Sequence, residues 1–368
     1  MIIKRFKAEN FRNIEKCDIE FSPGVNLLYG RNAQGKTNVV EGIYYFSRGR
    51  SFRGREDKEL VRFGTEGFRI YLEFEDKCGR ESLEYALFGR ERLRKKNDYK
   101  ISKITEMIGS FKAVLFYPDD LSLVKDGPEE RRGFLNVAAA NCYPLYIKYY
   151  SDYKKALENR NCILKMMQKG LYVDKNELDS WSASMAEYSS YIYLFRKEYV
   201  ERLKKYAGVL LKEISDGREE LSLSYESQIP DGLTDRGEIK AEYERIFSLS
   251  LEREIAAGVT LFGPHRDDID ININGKSARS FASQGQQRSI VLALKLSEGE
   301  VIKEICGEYP VFLFDDVLSE LDEKRRKYVL SGIGDRQIII TSCEADECLG
   351  FTENEIEVTG GRYVSSHR

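Results

Sequence analysis

The chain has 368 residues, 42% hydrophobic and 32% charged, with a net charge of -3, which is enough apolar material for two structural units. Its two histidines, His265 and His367, argue against a His-rich metal centre and leave few options for a Ser-His-Asp triad. Its seven cysteines form no C-x-x-C pair and no apolar run approaches 18 residues, which disfavours a zinc ribbon, a secreted disulfide framework or a membrane-embedded chain and predicts a cytoplasmic protein with reduced thiols.

Charge is spread unevenly. Residues 1–115 carry 24 Lys+Arg and 17 Asp+Glu, a net of +7, while the remainder carries 34 and 44, a net of -10. A basic first third suits an anionic partner, although a mosaic of solvated surface pairs would give the same totals.

Ile2 to Glu9 and Lys16 to Phe21 alternate as strands do, Pro23-Gly24 makes a turn, and Val25 to Tyr29 reads as a short buried strand. Gly30-Arg31-Asn32-Ala33-Gln34-Gly35-Lys36-Thr37 follows at once, and Asn38 to Phe46 continues as a helix. G-x-x-x-x-G-K-T between a strand and a helix is the phosphate-binding P-loop. Its glycines let backbone N–H groups turn inward around a β-phosphate, and the helix N-terminus adds partial positive charge. Lys36 would reach the β- and γ-phosphates of ATP, and the Thr37 hydroxyl would bind Mg²⁺.

An inserted helical arm comes next. Cys142, Tyr146, Tyr149, Tyr153 and Ala156 recur at steps of 4 and 3, with Ile163 and Met167 in compatible phase. Trp181, Met185, Tyr188, Ile192, Phe195, Tyr199, Leu203, Tyr206 and Leu210 do the same with one slip. These seams predict an antiparallel pair of helices, about Arg132 to Gln168 and Glu177 to Asp216, whose aromatic stripe is packing core. Residues 221–254 read as a strand, a Pro-Gly loop and a short helix.

Beyond the arm, Ser283-Gln284-Gly285-Gln286 precedes an apolar helix, Ser289 to Ile305, and resembles the S-G-G-Q signature of ATP-binding-cassette ATPases, with Gln284 in place of a glycine. Ser283 is also a plausible ordinary N-cap. Pro310 to Asp316 is an apolar strand running into two aspartates, the Walker B pattern. Asp315 would hold Mg²⁺ and Asp316 would lie nearest the attacking water. Ser319-Glu320-Leu321-Asp322 resembles the D-loop of the same class, and Thr341, at the end of the strand Gln337 to Thr341, stands where that class keeps its switch residue.

Motifs along nearly the whole chain resemble the RecF family of SMC-like ATPases: Ala8-Glu9-Asn10-Phe11-Arg12-Asn13, Gly49-Arg50-Ser51-Phe52-Arg53, Tyr117-Pro118-Asp119-Asp120-Leu121, Arg131-Arg132-Gly133-Phe134-Leu135, Gly263-Pro264-His265-Arg266-Asp267-Asp268 and Asp315 to Asp322. The resemblance implies an α/β fold, a P-loop ABC/SMC-like ATPase head (residues 1–118 and 255–368) with an inserted antiparallel, short coiled-coil-like helical lobe (residues 119–254). It implies an ATP-dependent homodimer that binds double-stranded and gapped DNA, works with recombination mediator proteins that load recombinase, and is nucleoid-associated. ATP and Mg²⁺ would be its cofactors. Gly30 to Thr37, Arg12, Gly285, Gln286 and Asp322 would contact nucleotide, Thr37 and Asp315 metal, and Lys36, Asp316 and Ser283 would serve catalysis as a weak, DNA-stimulated switch. In this class Ser283 faces the ATP of the other subunit.

The chain departs from cassette ATPases in having Asp316 where they carry a glutamate, and in lacking a switch histidine; Asn136 replaces a commoner aspartate. A non-hydrolysing ATP-gated DNA scaffold and the nucleotide-binding subunit of a transporter share parts of the pattern. For DNA, two basic clusters are candidates: Arg48, Arg50, Arg53 and Arg55, and Arg90, Arg92, Arg94, Lys95 and Lys96. Without regularly interleaved aromatics they suit phosphate contact and not base readout, unless Glu56, Asp57, Glu59 and Glu91 neutralise them.

Overall fold

The computed structural model describes residues 1–54, 56–332, 334–344 and 350–367. In chain order the elements begin with β1 (Ile2–Phe11), β2 (Ile14–Glu20), β3 (Val25–Tyr29), α1 (Lys36–Arg48), β4 (Gly67–Asp76), β5 (Gly79–Phe88), β6 (Glu91–Lys96), β7 (Tyr99–Lys100) and β8 (Ala113–Phe116). Then come α2 (Ser122–Lys125), α3 (Pro128–Cys142), α4 (Pro144–Gln168), α5 (Lys175–Ile214), β9 (Leu221–Glu226), α6 (Arg236–Ala257), β10 (Asp268–Ile273), β11 (Lys276–Ser277) and α7 (Ala278–Phe281). The last are α8 (Gln284–Cys306), β12 (Val311–Asp315), α9 (Glu323–Ser331), β13 (Ile338–Ser342), β14 (Thr352–Thr359) and β15 (Arg362–His367).

Two compact units result: residues 1–121, 213–217 and 284–368, and residues 122–212 and 218–283. The expected return to the head at residue 255 therefore moves to 284. The reason is strand pairing: β10 pairs antiparallel with β9, Ile271 opposite Leu223, so the segment after α6 stays with the arm.

The head unit holds two six-stranded sheets, β2-β1-β4-β5-β6-β7 and β15-β14-β3-β13-β12-β8. In the second, β14, β3, β13, β12 and β8 run parallel. Its inner strands are apolar almost throughout because both faces are covered. Helix α1 packs with both sheets: Val39, Ile43 and Phe46 share one cluster with Phe6, Phe11 and Ile70 of the first and with Leu28, Leu313 and Ile339 of the second. Each large side chain so buried contributes about 1.5–3 kcal/mol. Strand β1 runs two residues past the expected Glu9, to Phe11, and the tight turn into β2 puts Asn10 and Arg12 at φ 52° and 54°.

In the arm unit the expected first helix is two. Tyr143 is extended (φ -120°, ψ 103°) and Pro144 opens α4, because the residue before a proline avoids the helical region. The second helix, α5, has 40 residues and spans about 60 Å at 1.5 Å per residue. The seam expected between them is real: Tyr149 stacks on Tyr191 at 3.9 Å, and Ile163 and Leu164 meet Trp181. A third partner joins it. Helix α6, 22 residues and not short, adds Ile239, Tyr243 and Phe247 to the core around Tyr153, Met185 and Ile192.

Two buried arginines fasten this unit. Arg160 of α4 donates to Glu254 of α6 at 2.6 Å, to Ser182 of α5 at 2.9 Å and to Thr260 at 2.8 Å. Arg196 of α5 donates to Pro264 O at 2.6 Å and to Asn136 Oδ1 at 2.7 Å, and lies 3.7 Å from Asp267. Thus Asn136 and the 263–268 motif serve arm architecture. Replacing Glu254 by leucine leaves Arg160 buried without its carboxylate, and the expected loss is about 3–5 kcal/mol. The chain's single tryptophan, Trp181, packs in this unit, so its emission during urea unfolding reads the loss directly. An unchanged midpoint would refute the pair's role.

Candidate active site

The P-loop leaves β3 and enters α1 as the sequence predicts. Gly30 (φ 146°) and Gly35 (φ 115°) have backbone angles that side-chain-bearing residues rarely adopt. A Cβ on Gly30 would collide with the Val358 carbonyl, and one on Gly35 would lie 2.7 Å from the Tyr363 hydroxyl. The loop is gripped from outside. Asn13 Nδ2 donates to Ala33 O at 2.9 Å, and Gly360 N donates to Gln34 Oε1 at 2.7 Å. Asn32 Oδ1 accepts from the Cys343 thiol. Lys36 is almost fully buried, its Nζ donating to Gly30 O at 2.6 Å and to Arg31 O at 3.2 Å. Its ammonium thus spans the mouth of the cradle, where phosphate oxygens would replace those carbonyls.

Beside the cradle, β13 lies between β3 and β12. Thr341 at its end therefore stands next to both Walker B aspartates. The Thr341 hydroxyl accepts from Asp316 N at 2.9 Å and donates to Asp315 Oδ1 at 3.0 Å, with Asp316 Oδ1 at 3.3 Å. Burial pushes the Asp315 carboxyl up to about 6, against hydrogen bonds from Thr37 and Thr341 that lower it. Thr37 and Asp315 are thus adjacent oxygen donors of the kind a hard divalent cation takes, and they fit Mg²⁺. Asp316 has φ 54°, a conformation asparagine and aspartate tolerate better than most residues. It lines the same open cleft of ≈ 1070 Å³ as Gly35, Lys36 and Thr37.

Arg12 also lines that cleft, and the residue that holds it was not evident from the sequence. Glu41 of α1 is fully buried and accepts from Arg12 at 2.7 and 3.0 Å. Arg12 further donates to Glu59 O at 2.8 Å. Ser51 also donates to Glu41, and Arg53 lies 4.0 Å from it while donating to Asn38 Oδ1 at 3.2 Å. The available signal was a lone carboxylate inside the otherwise uncharged helix Asn38 to Ser47.

The signature region starts its helix five residues earlier than expected. Ser283 is exposed and directly precedes α8, whose first turn contains Gln284, Gly285 and Gln286. Gly285 and Gln286 do not line the P-loop cleft. Lys295 further along α8 pairs with Asp120 at 2.9 Å, both buried, which explains the 117–121 motif. Asp322 caps α9, its Oδ1 accepting from Arg325 N at 2.8 Å, and Arg325 reaches Ser289 of α8 at 2.7 Å.

The basic clusters are redistributed. Arg53 belongs to the nucleotide cleft, Arg50 lies in the loop after α1, and Arg55 lies outside the described residues. In β6 the pleat sends Arg92, Arg94 and Lys96 to one face and Lys95 to the other, so the run is not one patch. One partner, Asp57, belongs to the expected set, and Glu84 and Glu81 do not. Arg92 meets Asp57 at 3.4 Å, Lys95 meets Glu84 at 3.4 Å, Lys96 meets Glu81 at 2.9 Å, and Arg94 lies over the Tyr85 ring.

Comparison with known proteins agrees with this geometry. The family model described as the RecF/RecN/SMC N terminal domain matches residues 2–360. A DNA replication and repair protein RecF of Clostridioides difficile (strain 630) is 40% identical over 362 residues, 97% of this chain and 96% of that one. The chain belongs to the RecF family. A RecF of Clostridium kluyveri is 39% identical over 349 residues, 94% of each chain. A solved structure of the recombination mediator protein RecF-ATPrS in the RecFOR pathway is 35% identical, superposes with a TM-score of 0.92 and is covered to 97%, with 99% of this chain included. An Smc head domain from Pyrococcus furiosus, at 17% identity and TM-score 0.58, shares the fold. The fold is thus the α/β, SMC-like ATPase head expected of the RecF family. Among the described residues no helix is long and apolar enough to cross a membrane.

Proposed function

We propose that the chain is an ATP-dependent DNA-binding protein of recombinational repair. ATP brings two heads together, the dimer binds duplex DNA beside single-strand gaps and helps partner mediators load recombinase, and slow hydrolysis resets it. The observation that carries the nucleotide part is the convergence of Lys36, Thr37 and Asp316 on one cleft, with Asp315 hydrogen-bonded to Thr37. The DNA-repair part draws on the 40% identity to a DNA replication and repair protein.

In this reading the loop amides and Lys36 hold the phosphates, and Thr37 and Asp315 hold Mg²⁺, which neutralises phosphate charge. Asp316 takes the proton of the attacking water. The turn of exposed Ser283 and half-buried Gly285 and Gln286, outside its own cleft, suits a γ-phosphate presented by a partner head, with Asp322 supplied from the D-loop.

Ser283→Arg should leave ATP binding by the monomer intact but block ATP-dependent dimerisation and hydrolysis. Light scattering with ATP and a slowly hydrolysed analogue checks this, and normal dimerisation by the variant would sink the composite site. The function as a whole is tested by titrating blunt, gapped and single-stranded DNA with and without ATP. ATP-dependent preference for duplex beside a gap is expected, and equal binding without ATP would refute the reading.

Arg50, Arg92, Arg94 and Lys96, with Lys95 from the opposite face of β6, are the proposed DNA contacts; Arg53, in the cleft, is shared with nucleotide. Duplex affinity should fall by about 0.9 log unit per log unit of salt for each phosphate neutralised. Reversing Arg94, Lys95 and Lys96 to glutamate should flatten that slope for all sequences alike and spare ATP binding. An unchanged slope removes β6 from the DNA face.

A further inference from the structure

The P-loop cleft combines two kinds of lining. One is the P-loop, Lys36, Arg12 and Arg53, all donors for an anion. The same cleft is also lined by Val61 and Phe63. Phe63 is fully exposed (103%), more than any other large hydrophobic side chain among the described residues. The backbone just before it, in contrast, is well anchored. Arg12 N donates to Leu60 O at 2.7 Å, Arg62 N donates to Asn10 O at 2.8 Å, and Phe11 and Val61 form an isolated bridge. Leu60 is fully buried just before it. A phenyl ring left in water just after a fixed segment, in the same cleft as a phosphate cradle, is available to receive the flat face of a base.

We propose that Phe63 stacks on the base of the nucleotide whose phosphates the P-loop holds, and so is a binding residue for the nucleoside end. This rests on the ATP-binding reading above. Stacking is tolerant of base identity because every base has a π-face, so Phe63 supplies affinity shared by ATP and GTP.

The test compares ATP, GTP and inorganic tripolyphosphate on the full chain by calorimetry, using protein concentrations that keep it monomeric. Phe63→Ala should bind ATP and GTP roughly 5- to 150-fold more weakly, the range given by one lost base stack. Tripolyphosphate, which has no base, should bind as it does to the parent. Phe63→Trp should keep ATP affinity and show nucleotide-dependent quenching absent from the parent, whose only tryptophan is Trp181 in the arm. Parental ATP affinity in Phe63→Ala overturns the proposal, as does an equal loss of tripolyphosphate. Parental affinity with impaired dimerisation also overturns it and assigns the ring to a partner head. Failure of the underlying ATP reading looks different: the parent would bind neither ATP nor tripolyphosphate, or Lys36→Met would bind both as the parent does.

Discussion

Lys36→Met should abolish tight ATP binding while the fold survives. The Lys36 ammonium sits at the mouth of the P-loop with only backbone carbonyls as partners, Gly30 O at 2.6 Å and Arg31 O at 3.2 Å. It makes no ion pair within the head that its removal would orphan, among the described residues. Methionine keeps a comparable unbranched stem in the nearly buried channel. Truncating one partner of a buried, hydrogen-bonded charge pair costs about 2–5 kcal/mol, so ATP affinity should fall roughly 30- to 5000-fold. Calorimetry with ATP gives the affinity, and a melting curve on the same sample gives the fold. Parental affinity with a parental melting curve would refute the P-loop reading.

Asp316→Asn should slow hydrolysis by about 10²- to 10⁴-fold, the range for loss of a positioned general base. The substitution is nearly isosteric, and asparagine tolerates the left-handed conformation that Asp316 adopts at φ 54°. The backbone N–H to Thr341 at 2.9 Å therefore survives, and so does the Thr341 contact with Asp315. ATP binding should persist and the ATP-bound dimer should live longer. Asp315→Asn should instead weaken Mg²⁺ binding, since that carboxylate is the one beside Thr37. Single-turnover phosphate release, with and without DNA, measures both. A parental rate in Asp316→Asn means Asp316 is not the base. A parent that binds ATP but releases no phosphate means the chain is a non-hydrolysing scaffold.

Motifs confined to a few adjacent residues are legible in the amino-acid sequence alone. The P-loop needs a glycine where the backbone turns left-handed and a lysine and threonine at the helix start, and all of these are neighbours in sequence. Buried parallel strands such as β12 and β13 announce themselves as unbroken apolar runs. The shorter β8, four residues of ordinary apolar character, does not, and only its parallel pairing with β12 makes it a strand. The break at Tyr143 is carried by Pro144, yet the periodicity of the flanking tyrosines continues across it and masks the kink.

What the sequence determined by itself was local chemistry: a phosphate loop, two carboxylates at the end of an apolar strand and a turn that resembles the signature, each specified by contiguous residues and their backbone needs. What only the tertiary structure decided was partnership between distant residues. Glu41 grips Arg12 and sits near Arg53, which moves Arg53 from a surface cluster into the cleft. Thr341 joins the Walker B aspartates because β13 is inserted between β3 and β12. The strand pleat divides Arg92, Arg94 and Lys96 from Lys95, and residues 255–283 stay with the arm through β9–β10 pairing. The physical reason is common to all four. Strand order, side-chain face and buried charge pairing are set by contacts across tens to hundreds of residues, and no local run of sequence encodes which distant partner will be there.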